Sequence, residues 1–106
     1  MQQNAGDYVQ PTGAGQTITY TGTAGVIGNP LPPGTQYAWI WCTTAAFIAW
    51  GASPTATTAD FPIPPNWPIK VFIGKDSTGA SLDGKFKVSA VQLASGGSLM
   101  VAPVQY

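Results

Sequence analysis

Tyr37-Ala-Trp-Ile-Trp-Cys-Thr-Thr-Ala-Ala-Phe-Ile-Ala-Trp-Gly51 is the longest apolar run in the chain and holds three of its four tryptophans. Tyr37, Trp39 and Trp41 alternate with Ala38, Ile40 and Cys42, the period of two by which a strand sends side chains to opposite faces. Thr43-Thr44 interrupts the run, Ala45 to Trp50 resumes the alternation with Phe47 out of phase with Ile48 and Trp50, and Gly51 ends it. The expectation is two neighbouring central strands of an all-β domain. Core packing is the expected place for Trp39, Trp41 and Trp50, because Trp is large and mostly buried. A row of Trp on an outer face would instead be a sugar-stacking platform or a subunit interface, where Trp and Tyr concentrate. Because Tyr37, Trp39 and Trp41 share one face and Ile40 and Cys42 the other, the strand is apolar on both sides and expected to be buried on both. In a small domain a partner subunit meets that demand most easily.

On the N-terminal side, residues 1–15 are polar and Gly-rich with Pro11, Gly13 and Gly15 as breakers, which predicts an extended arm; Tyr8-Val9 is its candidate anchor on a neighbour. Gln16 to Thr21 alternates Thr17, Thr19 and Thr21 with Ile18 and Tyr20, a half-buried strand. Gly22 to Gly34 reads as a loop with a short strand at Val26-Ile27, its prolines excluding helix. On the C-terminal side, Ser53-Pro54 fits the cap and first position of one helical turn through Thr55 to Ala59. Phe61 to Pro68, FPIPPNWP, is extended or polyproline-like. Ile69 to Ile73 and Phe86 to Leu93 are strands, with a turn-rich hairpin connection at Lys75 to Gly84. Gly96-Gly97 leads into a closing strand, Leu99 to Val104. Six or seven short strands separated by Gly and Pro indicate a single-domain β-sandwich over residues 16–106. Jelly-roll and immunoglobulin-like orders both fit, and the lack of a Cys-Trp-Cys framework favours a jelly-roll-like one.

The chemistry is sparse. In 106 residues the charged side chains amount to 8%: Asp7, Asp60, Asp76, Asp83, Lys70, Lys75, Lys85 and Lys87, with net charge zero. A soluble domain usually carries roughly 25%, so much of this surface is covered by partners or kept wet by Thr, Ser, Gln and Gly. Without His, no Ser-His-Asp or Cys-His constellation and no His-containing zinc site is possible. One cysteine makes no thiolate cluster and no internal disulfide; Cys42 reads as a small buried apolar residue. Asp76 and Asp83 lie in turn sequences, where a local backbone hydrogen bond is the usual role, and Asp60 before Phe61-Pro62 reads as a loop cap. The residues thus predict no enzyme, no cofactor and no metal. Four scattered lysines make no phosphate-binding cluster, and no run approaches the ~20 apolar residues of a membrane helix. The expectation is therefore no nucleic acid and no membrane. The N-terminus has neither a basic segment nor an apolar core, which predicts synthesis in a cytoplasm without a signal peptide. Trp67, inside the proline segment, is the best single candidate for an exposed contact, with a core-covering lid as its alternative. The candidate interface is Tyr8, Val9, Tyr37, Trp39, Trp41 and Trp67.

The second half of the chain also carries a pattern: Thr43-Thr-Ala-Ala-Phe-Ile-Ala-Trp-Gly51, Pro54-Thr-Ala-Thr57, Pro64-Pro-Asn-Trp-Pro68, Lys87-Val-Ser-Ala-Val-Gln92 and Gly96-Gly-Ser-Leu-Met-Val101. Over roughly residues 38–103 it resembles a family of small virion structural proteins of tailed bacteriophages. Residues 1–34 and the abundance of Trp depart from that pattern, and no catalytic residue belongs to it. The resemblance implies a capsid decoration, or cement, protein on the virion surface. Its partner would be the major capsid protein lattice, and it would be a homo-oligomer, a trimer being favoured. A tail, head-closure or fibre component is the nearest alternative, and a carbohydrate-binding β-sandwich on the particle is a second.

Overall fold

The computed structural model describes residues 10–75 and 78–105. Among these, nine strands and no helix follow one another: β1 (Gln10–Pro11), β2 (Gln16–Tyr20), β3 (Gly25–Val26), β4 (Tyr37–Cys42), β5 (Ala46–Gly51), β6 (Phe61–Ile63), β7 (Ile69–Phe72), β8 (Lys87–Gln92) and β9 (Gly97–Gln105). They form two antiparallel sheets, one ordered β2-β9-β4-β7 with β1 also on β9, the other β3-β8-β5-β6. The chain is an all-β sandwich.

β1 and β2 make one interrupted edge. Pro11 pairs with Val104, but Gln16 pairs with Val101, so two extra residues are looped out between them. Of the segment expected as an arm, residues 10–15 are described. Gln10–Pro11 lie on β9, and the Thr12 amide donates to the Pro103 carbonyl at 3.0 Å. Tyr8 and Val9 fall outside the described residues.

The apolar run contains two strands, as the alternation requires, but they are not paired neighbours. β4 bonds to β7 and β9 in one sheet, and β5 bonds to β6 and β8 in the other. Thr43 to Ala45 is therefore an arch between sheets. Three more arches lie at the same end: β2 to β3, β6 to β7 and β8 to β9. Backbone and side-chain hydrogen bonds stitch these arches together. The Tyr20 hydroxyl donates to the Thr44 carbonyl at 2.8 Å, and the Thr44 hydroxyl donates to the Ser95 carbonyl at 3.1 Å. Thr43 exchanges bonds with Ser98, its amide donating to the Ser98 carbonyl at 3.0 Å and its hydroxyl accepting from the Ser98 amide at 2.9 Å. The Gln92 amide donates to the Thr21 carbonyl at 3.0 Å. Gly97 is what lets them meet, since a Cβ there would stand 2.5 Å from the Thr44 hydroxyl and 2.8 Å from that of Tyr20.

Two other expectations change. Thr55 to Ala59 forms no helical turn; Asp60 instead folds the loop, its carboxylate accepting from the Thr57 amide at 2.6 Å. The connection after β7 is not a simple hairpin, because β7 and β8 lie in different sheets; within it Lys75 and Ser81 form an isolated bridge. Asp83 accepts from the Gly34 amide at 2.8 Å, so its bond joins two distant loops rather than serving its own turn.

Between the sheets lie Tyr20, Ile40, Cys42, Ile48, Phe86, Val88, Leu99 and Val101, all nearly or fully buried. Burying such side chains stabilises the fold by about 1.5–3 kcal/mol each before conformational entropy is charged. Thr35 and Ser89 are the buried polar residues, and among the described residues no buried side-chain polar atom is left without a partner.

Candidate interaction surface

Alternation in β4 puts Ala38, Ile40 and Cys42 inside, all fully buried. Tyr37, Trp39 and Trp41 consequently stand on the outer face. Tyr37 and Trp39 are half-buried, and Trp41 is 43% exposed. This corrects the expectation of core tryptophans. Their indoles are too large for a core already occupied by Phe86 and Tyr20, and the strand turns its small and branched side chains inward instead. Trp50 keeps the phase of buried Ala46 and Ile48 but sits near the end of β5, where it is exposed and meets Phe61 edge-on at 6.1 Å.

Sheet pairing extends the outer row sideways. Trp41 lies opposite Met100 and Trp39 opposite Ala102 of β9, and Trp39 lies opposite Lys70 of β7. A groove of about 550 Å³ opens over these positions, with Trp39, Trp41, Met100 and Ala102 below, Gln16 and Thr17 on one side and Pro68 in its lining. No charged residue lines it. Gln16 is already engaged: its amide nitrogen donates to the Asn29 carbonyl at 2.8 Å and its carbonyl accepts from the Asn29 amide at 3.1 Å. At the opposite end of the strand Tyr37 packs edge-on against Phe72 at 5.5 Å, with the Lys70 ammonium 5.0 Å from the Tyr37 ring centre. Phe72 is 64% exposed. Phe72 and Met100 were not singled out from sequence; their strand alternation was visible, but their pairing to β4 was not.

Trp67 sits on the arch between β6 and β7 and is 62% exposed, so it is no lid on the core. The arch is anchored beside it: the Asn66 amide donates to the Cys42 carbonyl at 2.8 Å, and Asn66 takes a left-handed φ of 56°. Asn tolerates that region better than most residues. With prolines at 64, 65 and 68 the segment is held in shape. The structure thus places Trp39 and Trp41 together in the groove, Tyr37 at the far end of the same row, and Trp67 on the arch whose last residue, Pro68, lines the groove.

The outer face of the second sheet is covered in part by the chain itself, while Val26 and Pro62 at its margins stay exposed. The Ser89 hydroxyl donates to the Gly25 carbonyl at 2.8 Å and accepts from the Ala56 amide at 3.0 Å, clipping the 52–60 loop onto β8. Ala56 and Val91 are buried.

Reactive groups are few. Cys42 is buried, and burial pushes its thiol up to about 11, an effect the Tyr20 hydroxyl bond only partly opposes. Tyr20 is itself raised, chiefly by burial, against the lowering effect of its bond with Thr44. A thiol so protonated is a poor nucleophile at neutral pH. Among the described residues no group of three or more His, Cys, Asp or Glu lies close enough to hold a metal ion.

What fold and surface define together is a two-sheet β-sandwich with one face partly covered by its own loop and one open aromatic face. Comparison with protein-family models, with curated proteins and with solved structures finds no match to this chain.

Proposed function

We propose that this protein is a structural subunit of a larger assembly, specifically a decoration protein that binds and reinforces a virus capsid lattice. The observation that carries the reading is the open aromatic face of the β2-β9-β4-β7 sheet in a chain with 8% charged residues. Exposed aromatics on so sparsely charged a surface, with Lys70 beside the row, are the composition of an interface core rather than of a solvated surface. Trp41, Trp67 and Phe72 on this side, and Phe61 and Trp50 at the end of the other sheet, supply apolar area to bury. Such burial contributes on the order of 25 cal/mol per Å² before association costs.

The strand order supports a jelly-roll reading. Strands β2 to β9 pass between sheets ordered 2-9-4-7 and 3-8-5-6 at every step except the β5–β6 hairpin, with four arches at one end. Eight-stranded, two-sheet domains of this kind recur in viral capsids, and also in lectins and cupins; that part of the support is analogy of fold. The glycan reading is weaker on the site's own chemistry, because the groove lining holds no charged residue and Thr17 is its one hydroxyl-bearing residue, little to fix the orientation of a sugar.

The test is a capsid-binding measurement. Purified expanded capsids should take up the protein at a fixed copy number and gain heat and shear resistance. Saturable binding with no added resistance would remove the reinforcing role, and no binding would move the protein to a tail or fibre position.

A further inference from the structure

The open face carries a groove and, beside it, a projection of matching chemistry. We propose that the Trp39–Trp41 groove of one copy is filled by the Trp67 arch of a second copy, so that the chain self-associates by a knob-in-groove contact. The proposal rests on the assembly reading above and names the contact by which copies join.

Four observations carry it. The groove, of about 550 Å³, is lined by no charged residue, Thr17 is the one hydroxyl-bearing residue in its lining, and the Gln16 side chain is engaged with Asn29. It therefore asks for an apolar occupant with little need of hydrogen bonds. Next, the arch is such an occupant. Trp67, the most exposed tryptophan, follows the left-handed turn at Asn66 and precedes Pro68, so it projects as a rigid aromatic side chain, the kind of residue that anchors interfaces. The arch is also preorganised. The Asn66–Cys42 bond and the prolines hold it before any partner arrives, which lowers the ordering cost of association.

Finally, charge and area fit a second copy. Net charge is zero, so copies meet without repulsion. Exposures of 43%, 62% and 64% at Trp41, Trp67 and Phe72, taken on side chains of about 150–250 Å² each, leave on the order of 300–400 Å² of aromatic surface open. That is close to half of the ~800 Å² each partner contributes to a stable interface. Trp39, Met100 and the arch prolines extend it.

The experiment is complementation of two surface variants, Trp67→Lys without a knob and Trp41→Lys without a groove. Each is checked for folding by its thermal melt, with Trp67→Ala and Trp41→Ser as second variants. Light scattering and sedimentation across a dilution series should find the parent associated and each variant monomeric, with its dissociation concentration raised at least tenfold. An equimolar mixture should form a one-to-one heterodimer, since one intact knob then meets one intact groove. Tryptophan emission should shift to the blue on association of the parent and not in the Trp67 variants. A monomeric parent at 100 µM and above, variants that keep the parent's mass, or a mixture that stays monomeric would each overturn the proposal. Capsid binding is read separately. A monomeric parent that still stabilises capsids sinks the self-contact and keeps the decoration role. An associated, complementing protein that leaves capsids unchanged does the reverse.

Discussion

The outer faces of β8 and of β4 lie on opposite sides of one core and meet solvent in different ways. On the β8 side Ser89 and Val91 are buried, and the Ala56 amide ties the 52–60 loop to the Ser89 hydroxyl, which in turn donates to Gly25 of β3. On the β4 side the residues are large, and no segment among the described residues is tied across Trp41 in the same way; the indole remains 43% exposed. One face is partly covered by the chain itself, with Val26 left exposed at its margin. The other keeps its aromatic row open in the single chain, and in the proposed decoration role that row goes to a partner, since large aromatic surfaces give association energy only when something outside the domain buries them. On that proposed reading, a polar clip such as Ser89 marks surface used for folding, and an open aromatic row marks surface kept for assembly.

Substitutions that exchange the character of these faces test the contrast. The largest effect is expected one residue from the open row: Ile40→Ala, on the buried side of β4, should cost about 2–5 kcal/mol in chemical denaturation, as truncation of a buried aliphatic does. A cost below 1 kcal/mol would mean that the inward face of β4 is not the core face. Titration of the buried thiol comes next. Between pH 9 and 11 the native state keeps a proton on Cys42 that the unfolded chain has released, so stability should fall as pH rises through that window. A rise from an ordinary 9.0 to about 11 corresponds to roughly 2–3 kcal/mol. The raised Tyr20 acts in the same direction. In Cys42→Ala the alkaline slope should be shallower; an unchanged slope would assign it wholly to other groups.

Ser89→Ala sharpens the other side of the comparison. It leaves the Gly25 carbonyl and Ala56 amide without a side-chain partner, and should cost about 1–3 kcal/mol. Hydrogen exchange should show lost protection at Ala56; full protection there would show that the loop needs no clip. The smallest effect is expected at Trp41→Ser. Unfolding of the monomer at high dilution should change by about 0.5 kcal/mol or less, as for ordinary surface substitutions. A loss of several kcal/mol would make the aromatic row part of the fold and not a surface in waiting.

Much of this was legible in order along the chain. Alternation at Gln16 to Tyr20, Tyr37 to Cys42 and Lys87 to Gln92 located strands to within a residue or two, and the prolines of 61–68 excluded helix. The pairing was not legible. A three-residue break such as Thr43 to Ala45 serves equally as a hairpin turn or as an arch between sheets, and only the bonds of Thr43, Thr44 and Ala45 to Ser98, Ser95 and Leu93 decide it. Nor was the open groove legible, since it joins positions from four distant segments: Gln16, Trp39, Pro68 and Met100.

The sequence by itself determined the strand class, the lack of a His-based or thiolate-cluster chemistry, and the two-sided apolar character of β4. These depend on backbone periodicity and on which functional groups exist at all. Only the tertiary structure decided which side of β4 became the core. Two sheets pack about 10 Å apart, and in the core shared with Phe86 and Tyr20 the chain buries Ala38, Ile40 and Cys42 and leaves the larger rings of Tyr37, Trp39 and Trp41 outward.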